Sequence, residues 1–277
     1  MIDRFVTRSD FENLCSQGRV PGSFPWLATD TESLFQENSL RFPEKMQEFQ
    51  GQTLTYTLNS QAFRAPEFGA VAWSEAVVIF GCSVVFGDGL TDSDCLSSQL
   101  SEQLGRPVIN LGVSGAGSDV ILHNSLVLQQ KYPQPWRVIT VWPSPDRLGE
   151  FTARGVNCYG SWTTGVVAWR DRQLFDRLRG HSDYHSVRRA QQWAKVYQAV
   201  NQDPWHMDTR LAMHSLAQRA IWRERDLQLS WCVDTTRITG CELLHWDFQD
   251  TGRDLIHPSK RTFRLWAEQI AETLKRS

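Results

Sequence analysis

Three short segments of this 277-residue chain carry residue types and spacings that could perform nucleophilic chemistry. In IFGCSVVFGDGL, Ser83 lies directly beyond an apolar, β-branched run and is flanked by Gly81, Gly87 and Gly89. A serine nucleophile needs this setting. Its hydroxyl must emerge at a strand end within reach of a base, and N–H groups at the start of the following helix can stabilise an oxyanion. The stretch reads G-C-S-V-V, so it is not the G-x-S-x-G elbow of the broader α/β-hydrolases. In GRDLIHPS, Asp254 and His257 lie three residues apart, just ahead of a closing helix. A carboxylate at that spacing can hold the imidazole tautomer through Nδ1 and leave Nε2 to take the serine proton. The third segment, VINLGVSGAGS, is a glycine-rich turn that a phosphate could also use. Neither glycine-rich loop offers G-x-x-x-x-G-K-[ST] or G-x-G-x-x-G, and no lysine is in place to meet a phosphate. Taken singly, each segment is weak: Gly-Cys-Ser after a strand is commonly a turn, and D-x-x-H is a common accident.

The elements that must position these residues follow from hydrophobic pattern. AVVIF (76–80), PVINL (107–111) and RVITVW (137–142) are runs of the kind buried parallel strands use. QLSWCVD (228–234) reads as a fourth strand and ELLHW (242–246) as a short fifth. Helical spacing is expected over 91–104, over a segment carrying Val120, Ile121, Leu126 and Leu128, and over 187–200 and 207–226. Phe263, Trp266, Ile270 and Leu274 mark an amphipathic closing helix. Strands alternating with helices imply right-handed βαβ units in a parallel sheet. Functional loops of such a sheet gather beyond the strands' carboxyl ends, here 81–90, 111–118 and 142–149. The expectation is an α/β fold, a three-layer α/β/α sandwich with a parallel sheet of about five strands. Residues 1–70, broken by Pro21, Pro25, Pro43 and Pro66, read as an irregular N-terminal extension packed on a main domain of 71–277. That extension holds a possible hairpin around QTLTYTL. Residues of about 150–226 read as a helical insertion over the carboxyl edge of the sheet, placed to shape a pocket.

Together, and in this order, the three segments resemble the SGNH/GDSL hydrolase family. FGCSVVFGDGL is similar to its first block, with Ser83 at the nucleophile position; VINLGVSGAGS is similar to its second, with Gly115 at the glycine that donates an oxyanion N–H; DLIHPS is similar to its last. The resemblance covers about 71–277, is tight at the blocks and loose between them. It implies an SGNH-hydrolase, flavodoxin-like sheet and a triad of Ser83, Asp254 and His257, with oxyanion donors at Ser83 and Gly115. Two positions depart from the family pattern. Cys82 stands where the family usually has Asp, a side chain that does not react. The third strand runs into VWPSPDR, without the asparagine that donates to the oxyanion; Ser144 is nearest that place, and its hydroxyl can donate one hydrogen bond. Losing such a donor typically costs on the order of 10²–10³ in turnover. Arg147 is an alternative source of positive charge, or a partner for Asp146. NSQAFRAPEF (59–68) resembles leaders ahead of some SGNH-like domains, with Phe63 and Arg64 then covering an edge of the domain.

The implied function is a serine esterase cleaving an acyl ester, an O-acetyl group on a carbohydrate being one candidate substrate. The alternatives are a binding or structural module that kept the fold without activity, and an O-acyltransferase. No cofactor is implied. Metal chemistry is not expected either, since His181, His185, His206 and His214 do not reproduce H-E-x-x-H or another zinc spacing. The formal net charge of −2 and pI of about 6.4 provide no overall basic field for nucleic acid or an anionic membrane. Arg210, Arg219, Arg223 and Arg225 gather locally, and acidic neighbours Glu224 and Asp226 suggest a solvated helix face. The acid-bearing N-terminus lacks an apolar signal region, and no stretch of about 18 apolar residues suggests a membrane span. A cytoplasmic protein is therefore expected. The six cysteines form no C-x-x-C pair and fit reduced thiols. Most of the 12 tryptophans are expected in the core or at its margins.

Overall fold

Five short strands assemble into one parallel sheet in the computed structural model, which describes residues 4–11, 21–152, 155–160, 195, 197, 199, 203–245 and 249–276. The N-terminal part contributes β1 (Gly22–Phe24), α1 (Glu32–Arg41), α2 (Pro43–Met46) and β2 (Tyr56–Leu58). The sheet and its first crossovers follow as β3 (Val77–Gly81), α3 (Ser83–Phe86), α4 (Leu96–Leu104), β4 (Val108–Gly112), α5 (Ser118–Lys131) and β5 (Arg137–Val141). A small hairpin, β6 (Leu148–Phe151) and β7 (Val156–Tyr159), precedes α6 (Pro204–Trp222), β8 (Asp226–Ser230), α7 (Val233–Thr239), β9 (Glu242–Leu243) and α8 (Lys260–Arg276).

The strand order is β4-β3-β5-β8-β9, with every neighbouring pair parallel. The chain reverses its direction of travel between β3 and β5, which makes the crevice beyond their carboxyl ends the switch point of an open α/β sheet. Right-handed crossovers then assign the helices. The step from β3 to β4 runs opposite to the later steps, so α4 lies on one face and α5, α6 and α7 on the other. The packing agrees: α8 packs on α4, while α6 packs on α5 and α7. Val77, Val78, Ile79 and Phe80 are all fully buried, as a strand covered on both faces requires. Trp142, Trp266 and Phe263 are among the largest fully enclosed side chains, and Trp73 and Trp222 are also buried.

Several elements differ from the sequence expectation. The segment around Tyr56 does not form a local hairpin; β2 pairs antiparallel with β1, Leu58 opposite Gly22. Alternation sets which face a strand buries but leaves its partner open. The fourth strand ends at Ser230 and the expected residues 233–234 begin α7, whose turns are closed by bonds such as that from the Gly240 N–H to the Thr236 carbonyl. Of the expected insertion over 150–226, the described residues contain the β6–β7 hairpin and α6, the crossover helix between β5 and β8. Residues 161–194, with His181 and His185, lie outside the described residues, as do Cys15 and most of the helix expected over 187–200. The arginine cluster is a solvated face in part: Arg219, Arg223 and Glu224 are exposed, while Arg210 and Arg225 are half-buried, Arg210 donating to the Pro145 and Arg147 carbonyls and Arg225 to that of Pro135; the exposed Arg219 also donates to the Thr239 carbonyl.

Part of the first 70 residues joins the main core, while Leu27, Leu54, Tyr56 and Leu58 form a second cluster with Phe86. Phe5, Phe63 and Phe68 pack edge-on or stacked, with centroids 5.3 to 5.8 Å apart, and Phe68 continues to Trp73 at 5.4 Å. Arg64 is buried and donates to the Gly87 and Leu90 carbonyls and to Asp92, so it ties the loop after α3 to the segment ahead of β3.

Candidate active site

Ser83 opens α3 immediately beyond β3, and its Oγ stands 2.8 Å from His257 Nε2. His257 Nδ1 stands 2.6 Å from Asp254 Oδ2. The structure thus joins segments 174 residues apart into one chain of hydrogen bonds. Serine, histidine and aspartate are all buried, with Asp254 the most enclosed at 2% exposed.

The turn holding Asp254 and His257 is shaped by its own backbone. The Gly252 N–H donates to the His257 carbonyl at 2.8 Å, and the Leu255 N–H donates to the Gly252 carbonyl at 2.8 Å. Asp254 Oδ1 accepts from the N–H groups of Ile256 and His257, at 3.0 and 3.1 Å, which locks the carboxylate with Oδ2 directed at the imidazole. Leu255 sits at φ 56°, a left-handed conformation that a branched side chain rarely adopts. The closing helix is anchored by Asp250, which accepts from the N–H groups of Arg261 and Thr262. That cap is set outside the helix and holds the Asp254–His257 turn against it.

Electrostatics favour a base that accepts a proton. Burial alone would raise the Asp254 carboxyl, but hydrogen bonds from His257, Ile256 and Thr29 and the nearby imidazolium charge hold it below the usual carboxylate range. Burial alone would lower His257, yet the Asp254 hydrogen bond and the charges of Asp88 and Asp254 raise it above its ordinary value, against an opposing contribution from Arg147.

The expected oxyanion donors stand as follows. The Ser83 N–H belongs to the first turn of α3, where a helix leaves its N–H groups without intrahelical acceptors. Gly115 is the third residue of a turn closed by the Ala116 N–H on the Val113 carbonyl, at φ 86°, the position a type II turn reserves for glycine. The Val113 N–H in turn donates to the Gly81 carbonyl at 3.0 Å, so this turn lies beside the end of β3. Ser144 lies in the loop after β5, partly exposed; its carbonyl accepts from the Arg147 N–H at 3.3 Å, and its hydroxyl makes no hydrogen bond among the described residues. Arg210 on α6 secures this loop through the Pro145 and Arg147 carbonyls, at 3.0 and 2.7 Å.

Sequence reasoning missed a second set of residues. Thr29, in the N-terminal extension, donates to Asp254 Oδ2 at 2.7 Å and lies 3.3 Å from Asp88 Oδ2. Asn38 on α1 donates to the Asp254 carbonyl. Arg253 forms a buried double hydrogen bond with Asp30, and the Tyr56 hydroxyl donates to Asp30 Oδ2 while accepting from the Gly89 N–H. Asp88 is fully buried, accepts from the Ser114 hydroxyl at 2.7 Å, and sits in the FGDGL stretch already singled out for its glycines. Its position five residues after Ser83 was the one legible signal; Thr29, Asn38 and Tyr56 lie in a segment whose pattern shows no chemistry.

Among the described residues no cluster of three or more His, Cys, Asp or Glu could hold a metal ion, and no helix is long and apolar enough to cross a membrane. Among the described residues Cys82, Cys95, Cys158, Cys232 and Cys241 form no disulfide; burial pushes the Cys95 thiol up to about 11. A cavity of about 580 Å³ opens at the outer edge of β4, lined by residues including Arg64, Asp92, Ser101 and Val108, and is not lined by Ser83, Asp254 or His257. No protein-family model matches the chain, and no curated protein matches it.

Proposed function

We propose that the chain is a serine esterase of the SGNH/GDSL type, with Ser83, His257 and Asp254 as its catalytic triad. The observation that carries this reading is the unbroken run of hydrogen bonds from Ser83 Oγ through His257 to Asp254, at 2.8 and 2.6 Å. In the proposed reaction Ser83 Oγ attacks the ester carbonyl carbon as its proton passes to His257 Nε2. The tetrahedral oxyanion is met by the N–H groups of Ser83 and Gly115, with Ser144 as a third donor. As the carbonyl re-forms, the C–O bond to the alcohol breaks and His257 returns its proton to that leaving oxygen. Water then attacks the acyl-serine and gives a proton to Nε2; when the acid departs, that proton returns to Ser83 Oγ. Asp254 keeps the imidazole oriented and stabilises its positive charge throughout. An ester on a carbohydrate, such as an O-acetyl group, remains the proposed substrate class.

A non-catalytic module with the same fold is a second reading. It is favoured by the 4% exposure of Ser83 and by the serine at the third oxyanion position. A fluorophosphonate probe separates the two. The esterase reading expects covalent labelling of the full chain that vanishes in Ser83→Ala, with ester turnover falling by about 10⁴-fold or more. Folded wild-type protein that takes no label, and hydrolyses no aryl acetate, rules it out.

A further inference from the structure

Beside the triad lies a second carboxylate that the proposed mechanism leaves unused. Asp88 follows α3 and has no solvent exposure. Its Oδ2 accepts from Ser114 Oγ at 2.7 Å and lies 3.3 Å from Thr29 Oγ1, while its Oδ1 has no hydrogen-bond partner among the described residues. Thr29 Oγ1 also donates to Asp254 Oδ2, so one hydroxyl stands between the two carboxylates. A compensating charge besides His257 comes from the extension: Arg8 Nη1 lies 3.1 Å from the Ser114 carbonyl and 3.3 Å from Ser114 Oγ. A buried carboxylate with one bare oxygen is costly, and such a group calls for a compensating role. A packing role alone would be met better by asparagine or an apolar residue.

We infer that Asp88 is a positioning residue of the triad, a second buried carboxylate held by Ser114 and adjoining Thr29, whose negative charge stabilises the imidazolium that His257 becomes when it takes the Ser83 proton. The inference rests on the esterase reading for its role in turnover, but its electrostatic content does not. The charged and titratable groups around His257 are Asp254 on its own turn, Asp88 on the loop after α3, and Arg147 on the loop after β5. Arg8, from the N-terminal segment, acts on Asp88. Burial raises the Asp88 carboxyl and Asp254 adds to that, whereas His257, Arg8 and the Ser114 hydroxyl oppose it. The two carboxylates therefore differ in task. Asp254 bonds the ring, and Asp88 contributes charge.

The sign of the test follows from removing one negative charge. In Asp88→Asn the imidazolium loses stabilisation, so His257 releases its proton at lower pH. The histidine titration, followed by NMR with His257→Gln used to assign the resonance, should move down by about one pH unit. If the wild type is active, the acid limb of kcat/KM should move down in step, while the plateau falls by about tenfold. Asp88→Ser removes the same charge with a smaller side chain and should shift the titration the same way by a similar amount. It serves as the measurement if Asp88→Asn does not fold. An unmoved titration in whichever variant folds overturns the inference, even if thermal stability drops. Because NMR needs no turnover, a shifted titration in a protein that never labels with fluorophosphonate would sink the esterase reading and leave the charge of Asp88 established.

Discussion

The hydroxyl of Thr29 is the least expected contact at the triad. It reaches Asp254 Oδ2 at 2.7 Å from 225 residues away and supplies that oxygen with a donor besides His257. A charge-assisted hydrogen bond of this kind contributes about 1.5–3 kcal/mol when well enclosed, and less here because Thr29 itself is exposed. Thr29→Val should therefore lower kcat by about five- to tenfold, with KM nearly unchanged because Thr29 acts through Asp254. Thr29→Ser, which keeps the hydroxyl, should restore most of the loss. A variant that loses thermal stability but keeps kcat would show that the hydroxyl only supports the fold. The backbone around Thr29 is consistent with a maintained contact. Leu27 and Asp30 exchange two backbone hydrogen bonds across a tight turn in which Ala28 takes φ 60°, a conformation that residues with a Cβ adopt reluctantly.

At the scale of elements, the site depends on two loops that touch backbone to backbone. The Arg253 N–H donates to the Gly89 carbonyl at 2.9 Å. A Cβ on Gly89 would lie 3.0 Å from the Arg253 nitrogen, 3.1 Å from the Asp254 nitrogen and 3.2 Å from Asp254 Oδ1. Gly89 also has φ 78°. Both constraints act together in Gly89→Ala. The conformational penalty is about 1–2 kcal/mol, and the new methyl presses on the carboxylate that orients His257. Thermal denaturation should show a fall of about 2–8 °C, with a loss of turnover larger than any rise in KM. Unchanged turnover in a destabilised variant would mean the loop pair can part without moving Asp254. The loops after β3, β4 and β5 open on one rim at the switch point, and the turn carrying Arg253, which follows β9 at the far edge of the sheet, reaches that rim just ahead of α8, the helix that packs back on α4.

At the scale of the whole molecule, the N-terminal extension is locked to the triad turn by a buried ion pair. Arg253 donates to Asp30 from Nε at 2.9 Å and from Nη2 at 2.6 Å, gives a further hydrogen bond to the Pro25 carbonyl, and stacks over Trp26 at 3.8 Å. Tyr56 closes the set by donating to Asp30 and accepting from Gly89. Removing one partner from such a pair leaves the other charge buried without compensation. Asp30→Ala should cost about 3–5 kcal/mol in urea denaturation and reduce labelling of Ser83, because Arg253 adjoins Asp254. Asp30→Ala combined with Arg253→Met should recover part of that stability, since no uncompensated charge remains. A single variant as stable as the wild type would show that the extension does not brace the turn.

What could be read from one dimension is local in origin. β3, β4 and β5 announce themselves as continuous apolar runs because strands covered on both faces have no polar side to alternate with. Ser83, Gly115 and the Asp254–His257 pair lie at ends of elements, where glycine and short spacings leave a mark in the chain. Their meeting is a matter of distance through space: a hydrogen bond between positions 83 and 257 requires the fold to bring both loops to one rim. Thr29, Asn38, Asp30, Tyr56 and Asp88 carried no such mark, or only a faint one in FGDGL. A hydrogen bond spanning 225 residues imposes no periodicity on either partner, and a threonine in an irregular leader looks the same whether or not it touches a carboxylate. The same limit hid the pairing of β1 with β2 and the role of α6 as a crossover helix, since amphipathic pattern tells a segment which side to bury but not which neighbour will cover it.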